Sequence, residues 1–267
     1  MIDTHCHLTF SHYTDRLDEV IHDAHTAGVN GMITVSTTLS DARRAQDLAE
    51  RYSDVWCTAG VHPLHADEAP EDDQGWRELA ELAKGKQCVA WGELGLDNHY
   101  DNPIKSVQQR VLTEQLAMIE QRAADGFTLP IVVHCRKAFD ELINAFRNTQ
   151  LDPTRFVFHC FTGGPDEAKT VLDFGAWISF TGVVTFKNAR EVAEAAKMVP
   201  LDRMMVETDA PFLTPEPHRK IRPNEPKYVV DVARFVAELR ELDYGEFERQ
   251  MDANAERFFQ ITIPTST

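Results

Sequence analysis

Five short apolar runs in the sequence each end on a side chain able to bind a divalent metal: Ile2 to His7, Cys88 to Glu93, Pro130 to His134, Arg155 to His159 and Met204 to Asp209. Imidazole suits zinc, manganese, iron and related ions, whereas a site of oxygens alone favours magnesium or calcium. On an extended strand His5 and His7 share one face and Cys6 takes the other, which makes a two-histidine clamp. A lone His-x-His is a weak sign. Glu93, His134, His159 and Asp209 raise the count to four histidines and two carboxylates, enough for two cations, with a glutamate able to bridge them. Buried carboxylates without a cation are costly, which is the physical reason to expect metal here. Thiolate is the rival ligand, since Cys6, Cys135 and Cys160 each adjoin one of these histidines. Alternation predicts that these thiols face the helical layer, where a free cysteine packs as a small hydrophobe.

The elements that must position these ligands follow from the same runs. Each is rich in Val, Ile, Phe or Trp, too short for a helix, and followed by turn residues and a helical pattern, as a buried parallel strand is. The pattern predicts eight strands: Ile2 to His7, Gly31 to Ser36, Val55 to Val61, Cys88 to Leu94, Pro130 to His134, Arg155 to His159, Trp177 to Phe180 and Arg203 to Glu207. Helical patterns alternate with them, among them Asp15 to Ala27, a helix capped by Ser40, Trp76 to Ala83 and Lys105 to Ala124, with Glu246 to Phe259 last. Eight alternations predict a TIM (β/α)8 barrel, a single domain over residues 1–267, with its metal site at the C-terminal ends of the strands. An open doubly wound sheet would carry a Gly-rich phosphate loop after the first strand, where this chain has His5-Cys6-His7.

Composition bounds the function. Apolar residues make up 43% and charged residues 26%, as in a soluble globular chain. A net charge of -16 argues against a broad basic surface for gripping nucleic acid, so phosphate binding must be local, through a metal or a small basic cluster. No basic leader and no run near the roughly 20 apolar residues of a membrane span occurs, so the expectation is a cytoplasmic protein with no membrane contact. Five cysteines, an odd number without CxxC spacing, read as reduced and buried. Neither a Ser nucleophile elbow nor a Walker A loop is present, and nothing calls for an obligate protein partner.

The motifs His5-Cys6-His7, Gly60-Val61-His62-Pro63, Gly92-Glu93-Leu94-Gly95-Leu96-Asp97, His134-Cys135-Arg136, His159-Cys160-Phe161-Thr162-Gly163, Glu207-Thr208-Asp209-Ala210-Pro211 and Asn224-Glu225-Pro226 together resemble the TatD family of metal-dependent hydrolases. Asn254 and Phe258 extend the resemblance into the last helix. It implies an amidohydrolase-type barrel with two divalent ions, Mg2+, Mn2+ or Zn2+, and a deoxyribonuclease activity. Carried over by residue, it implies one ion on His5, His7, Glu93 and Asp209, and a second on Glu93, His134 and His159, which makes Glu93 the bridge. Three departures surround the pocket: Asn98 replaces a Tyr after Asp97, Leu64 displaces a histidine to His65, and Pro223 separates Arg222 from Asn224.

Two ions close together activate a water and stabilise charge on the attacked centre, which suits phosphodiester, ester or amide hydrolysis. Asp209 is assigned as ligand and general base. Arg136, Lys137 and the stretch from His218 to Arg222 are candidates to orient a phosphodiester, with His62 at the substrate or behind the ligands. The turn Thr162-Gly163-Gly164 offers backbone N–H groups to an anion, and Phe212 a ring for a base. The leading expectation is exonucleolytic cleavage of single-stranded DNA. Hydrolysis of another ester or amide, such as the aminoacyl bond of a tRNA, is the second, and a metal-binding scaffold without catalysis the third.

Overall fold

Runs of Val, Ile, Phe and Trp that bury both faces cannot stand alone, and here they close on one another with helices outside. The computed structural model describes residues 1–264; the last positions of the domain expected over 1–267 lie outside the described residues. Eight parallel strands lie in sequence order, β1 (Ile2–Cys6), β2 (Gly31–Thr34), β3 (Val55–Ala59), β4 (Cys88–Asp97), β5 (Ile131–Arg136), β6 (Phe156–Phe158), β7 (Trp177–Phe180) and β8 (Met204–Val206). Helices α1 (Leu17–Thr26), α2 (Leu39–Arg51), α3 (Asp73–Leu82), α4 (Lys105–Ala124), α5 (Phe139–Arg147), α6 (Pro165–Phe174), α7 (Arg190–Met198) and α8 (Val229–Leu239) follow the strands in turn. A last helix, α9 (Tyr244–Phe259), crosses the lower end. The barrel closes through a parallel bridge between Cys6 and Ala210, reinforced by His7 N to Ala210 O at 2.7 Å and Asp209 N to His5 O at 2.9 Å. Those two bonds tie two ligand-bearing segments directly to each other.

The lower half of the interior is apolar. Ile2, Ile33, Val132, Val157, Trp177 and Met205 meet there, and Phe258 and Phe259 of α9 pack beneath them. Asn254 holds α9 in place, its Nδ2 donating to the carbonyls of Leu201 at 2.6 Å and Met204 at 2.8 Å. Strict alternation would put Ile2 and Cys6 on one face, yet Ile2 lies in this inner cluster and Cys6 in the outer one. The β1–β2 pairing shifts register between Asp3 and Cys6, and that irregularity turns His5 and His7 inward.

Boundaries differ from the sequence reading in informative ways. Strand β4 runs on to Asp97 because Gly92 and Gly95, at φ +124° and +151°, let it press against β5; a Cβ on Gly95 would lie 1.9 Å from the His134 carbonyl oxygen. The third strand stops at Ala59 rather than Val61, and α3 begins at Asp73 rather than Trp76. Helix α2 is capped by Thr38, not Ser40: the Thr38 hydroxyl accepts from Asp41 N at 3.1 Å. No helix among the described residues is long and apolar enough to cross a membrane.

Candidate metal centre

Three of the expected ligands, His5, Glu93 and His134, sit within strands, while His7, His159 and Asp209 lie just past strand ends. Asp209 takes a left-handed conformation at φ 54°, one that Asp tolerates better than most residues and that aims its carboxylate at the barrel axis. The other five side chains converge on Glu93. Its Oε2 is 3.3 Å from His5 Nε2, and its Oε1 is 2.7 Å from His134 Nδ1 and 2.5 Å from His159 Nε2. Asp209 Oδ1 faces His7 Nε2 at 3.4 Å and His5 Nε2 at 3.8 Å. The His5 and His159 rings stack with centroids 3.9 Å apart.

The donor set fits divalent cations on two independent grounds. Both ring nitrogens of the fully buried His5 lack a hydrogen-bond partner, a cost that a bound ion at Nε2 would remove. In addition, the ion-pair contacts of Glu93, Asp97, Glu207 and Asp209 among the described residues are all with histidines, none with Lys or Arg. Ligand atoms group as His5, His159 and Asp209; as His5, His7 and Glu93; and as His62, Glu93 and His134, so Glu93 belongs to two groups.

Electrostatics follow from this crowding. Burial opposes charge on Glu93, but the surrounding histidines, His159 first, hold its carboxyl well below the usual range. Burial also pushes the His159 imidazole down, yet Glu93 and Glu207 carry it well above its ordinary value. For His134 the bonds with Asp97 and Glu93 likewise outweigh burial and raise it. His62 goes the other way: burial lowers it to about 4, so it stays neutral, and its Nδ1 lone pair accepts from Leu64 N at 3.0 Å.

Two carboxylates that sequence reasoning left without a role stand behind the ligands. Asp97 Oδ2 meets His134 Nε2 at 3.0 Å, and Asp97 is itself held by the amides of His99 at 2.8 Å and Tyr100 at 3.3 Å. Glu207 Oε1 lies 3.4 Å from His159 Nδ1 and accepts from Cys160 N at 2.6 Å. His7 Nδ1 is fixed by the Val35 carbonyl at 2.8 Å. Each of these contacts sets which ring nitrogen points at the centre. A sequence signal existed, since Asp97 and Glu207 both lie inside the motifs that carried the family resemblance.

A cavity of about 560 Å3 opens over the cluster. Of the expected substrate residues, His62 and Arg136 line it, and Arg136 sits 5.1 Å over the Tyr100 ring. His62 also reaches the ligands, with Nε2 3.3 Å from Glu93 Oε1 and 3.0 Å from His134 Nδ1. Arg222 is not among the lining residues; its Nη1 donates to Thr214 Oγ1 and to the carbonyls of Arg219 and Ile221, bracing its own loop. Arg219 packs over Phe186 instead of facing the cavity. At the 162–164 turn, Gly164 N is already taken by Glu167 Oε2 at 2.9 Å, which reduces the expected anion cradle. Cys160 departs from the alternation argument: β6 ends at Phe158, Cys160 turns left-handed at φ 44°, and it lines the cavity. Among the departures, Leu64 lines the cavity, while Asn98 ties β4 to the Lys137 carbonyl and Glu141, each at 3.0 Å.

An eight-stranded parallel barrel with a histidine and carboxylate cluster at the strand ends has the architecture and donor set of a metal-dependent hydrolase. The family model described as TatD related DNase matches residues 2–260. The uncharacterized metal-dependent hydrolase YabD of Bacillus subtilis is 36% identical over 261 residues, covering 98% of this chain and 99% of its own. The 3'-5' ssDNA/RNA exonuclease TatD of Klebsiella pneumoniae is 34% identical over 272 residues, with 98% and 99% covered. The crystal structure of YJJV, a TatD homologue from Escherichia coli K12, superposes at a TM-score of 0.89 with 28% identity and 98% of each chain covered. This chain belongs to the TatD family.

Proposed function

We propose that the protein is a nuclease that hydrolyses DNA phosphodiester bonds from an end, acting on single strands. The observation that carries this reading is the convergence of His5, His7, His134, His159 and Asp209 on Glu93 beneath an open cavity. A relative at 34% identity that bears the name 3'-5' ssDNA/RNA exonuclease supports the substrate class. In this reading His5, His7, Glu93 and Asp209 hold one divalent ion, and Glu93, His134 and His159 a second. Mg2+, Mn2+ or Zn2+ bound there supplies Lewis-acid stabilisation and a water made more acidic.

The chain's own groups do the rest. Asp209, held as carboxylate beside His7, accepts a proton from the attacking water. Arg136 at the rim orients the phosphodiester, and its contact with the Tyr100 ring keeps the guanidinium in place. Phe212, 46% exposed at the cavity edge, offers a face on which a base can stack. The five cysteines, all free, fit the reducing cytoplasm in which we place this activity.

Purified protein loaded with Mg2+, Mn2+ or Zn2+ should shorten single-stranded DNA from one end and act more slowly on blunt duplex. Faster release of an amino acid from aminoacyl-tRNA than of nucleotides from DNA would favour the ester reading. Action on neither would leave a metal-binding scaffold.

A further inference from the structure

A second cavity, of about 400 Å3, lies at the opposite end of the barrel, where the N-terminal ends of β5 to β8 meet α9. Arg155, Arg203 and Arg257 line it around Trp177, with Asp202 as the one carboxylate in its lining. Each guanidinium is anchored by a backbone carbonyl: Arg155 on Leu129, Arg203 Nη1 on Gly175 at 3.1 Å, and Arg257 Nη2 on Asp202 at 2.7 Å. The guanidinium carbons of Arg203 and Arg257 lie 5.5 and 4.9 Å from the Trp177 ring centroid. Trp177 is itself 5% exposed and fixed by its N–H to the Thr154 carbonyl at 3.1 Å.

A purely structural role accounts for the carbonyl bonds but not for the charge. A guanidinium has five N–H donors, and the carbonyl contacts, with Arg257 Nη2 also donating to Asn254 Oδ1 at 3.1 Å, leave each arginine with donors unused. None of the three forms an ion pair among the described residues, in a chain where 43 Asp and Glu outnumber 27 Lys and Arg. The nearby Asp152 lends Arg155 some opposite charge but makes no ion-pair contact with it, accepting instead from Thr154 N at 2.9 Å and Thr154 Oγ1 at 2.8 Å. Three like charges anchored on backbone carbonyls, with Asp202 the one carboxylate in the lining and no ion-pair contact among the described residues, suit a multiply charged anion of oxygen atoms. A volume of 400 Å3 falls within the range of small-ligand sites, roughly 300 to 1,000 Å3.

We infer that this lower cavity is a binding site for a small phosphate-bearing anion, separate from the metal centre. Recognition rests on the phosphate, since the Trp177 ring is already covered by two guanidinium groups and is not open to a base. Free inorganic phosphate and the phosphate of a mononucleotide share that chemistry. The inference does not depend on the nuclease reading.

Calorimetric titration of the metal-loaded protein with inorganic phosphate, dAMP and citrate separates the possibilities. A phosphate-binding event should persist in His134→Ala, which damages the upper site, and weaken by roughly tenfold or more in Arg155→Gln/Arg203→Gln. Turnover at the metal centre should be unchanged in that double variant. Equal phosphate affinity in the double variant, or loss of all binding in His134→Ala, overturns the site. Citrate binding as tightly as phosphate overturns the ligand class, and dAMP binding while inorganic phosphate does not overturns recognition by phosphate alone. Should the double variant not fold, Arg257→Gln on the exposed face of α9 is expected to weaken binding as well. Wild-type crystals soaked in phosphate should show density at the three guanidinium groups, and an empty lower cavity beside an occupied metal centre contradicts the inference.

Discussion

The two ends of this barrel are made from the same strands and do opposite things. Below, Ile33, Val132, Val157 and Met205 fill the interior with apolar side chains and α9 closes it; above, the continuations of those strands present His134, His159 and Asp209 to an open cavity. Packing at the lower end is what allows the upper end to hold buried carboxylates and histidines at fixed distances, because the backbone beneath them cannot relax. Polarity at the top is a cost to the fold, and divalent cations bound there would offset it.

That division predicts effects that separate by position. Glu93→Gln should lower activity by ~1,000-fold or more and reduce metal content, with the melting temperature of the metal-free protein little changed; metal analysis and turnover measure this directly. Ile33→Ala, at a fully buried position in the lower cluster, should do the reverse: it costs about 2–5 kcal/mol in denaturant unfolding while metal content stays at the wild-type level. A loss of metal in Ile33→Ala equal to that in Glu93→Gln would erase the distinction between the two ends. Glu207→Gln leaves an acceptor for Cys160 N but removes the charge beside His159, so metal affinity should fall roughly 10- to 100-fold. Arg136→Ala should slow a phosphodiester substrate by about tenfold and a small neutral ester hardly at all; equal losses on both count against its role on phosphate.

A pH-dependent effect concerns Asp3, which lies between the two ends. Burial pushes its carboxyl up to about 8, while Thr208 N at 2.9 Å and Thr208 Oγ1 at 2.6 Å donate to it and partly offset that. Folded protein then retains a proton that the unfolded chain, near its ordinary value of 3.8, has already released. Unfolding free energy of the metal-stripped protein should therefore fall as pH rises between those two values, by at most about 1.4 kcal/mol per pH unit, and level off above 8. Asp3→Asn should lack that slope, and identical pH profiles for the two proteins would show that Asp3 is already charged in the fold.

Much of the upper end was legible in the sequence because strand-forming runs and ligand types coincide at the same positions, and the barrel supplies the convergence. The limits arise where backbone departs from strict alternation. Cys160 lines the cavity because it turns left-handed after β6, and β1 turns His5 and His7 inward only through a register shift near Asp3. Asp97 joined the site because Gly92 and Gly95 let β4 run longer than its apolar run suggested. Arg222 looked like a phosphate ligand from its charge and position, but the Thr214 hydroxyl and the loop carbonyls of Arg219 and Ile221 claim it. Side-chain demand of this kind depends on which backbone groups a loop leaves unpaired, which residue types alone do not disclose.

The central claim is that Glu93 bridges two divalent ions. Crystals of the wild-type protein grown with Mn2+ and measured at the manganese absorption edge test it most directly. The account predicts two anomalous peaks on either side of the Glu93 carboxylate, one contacted by His5, His7 and Asp209 and the other by His134 and His159. A single peak, or two peaks whose ligands do not include Glu93, would contradict it.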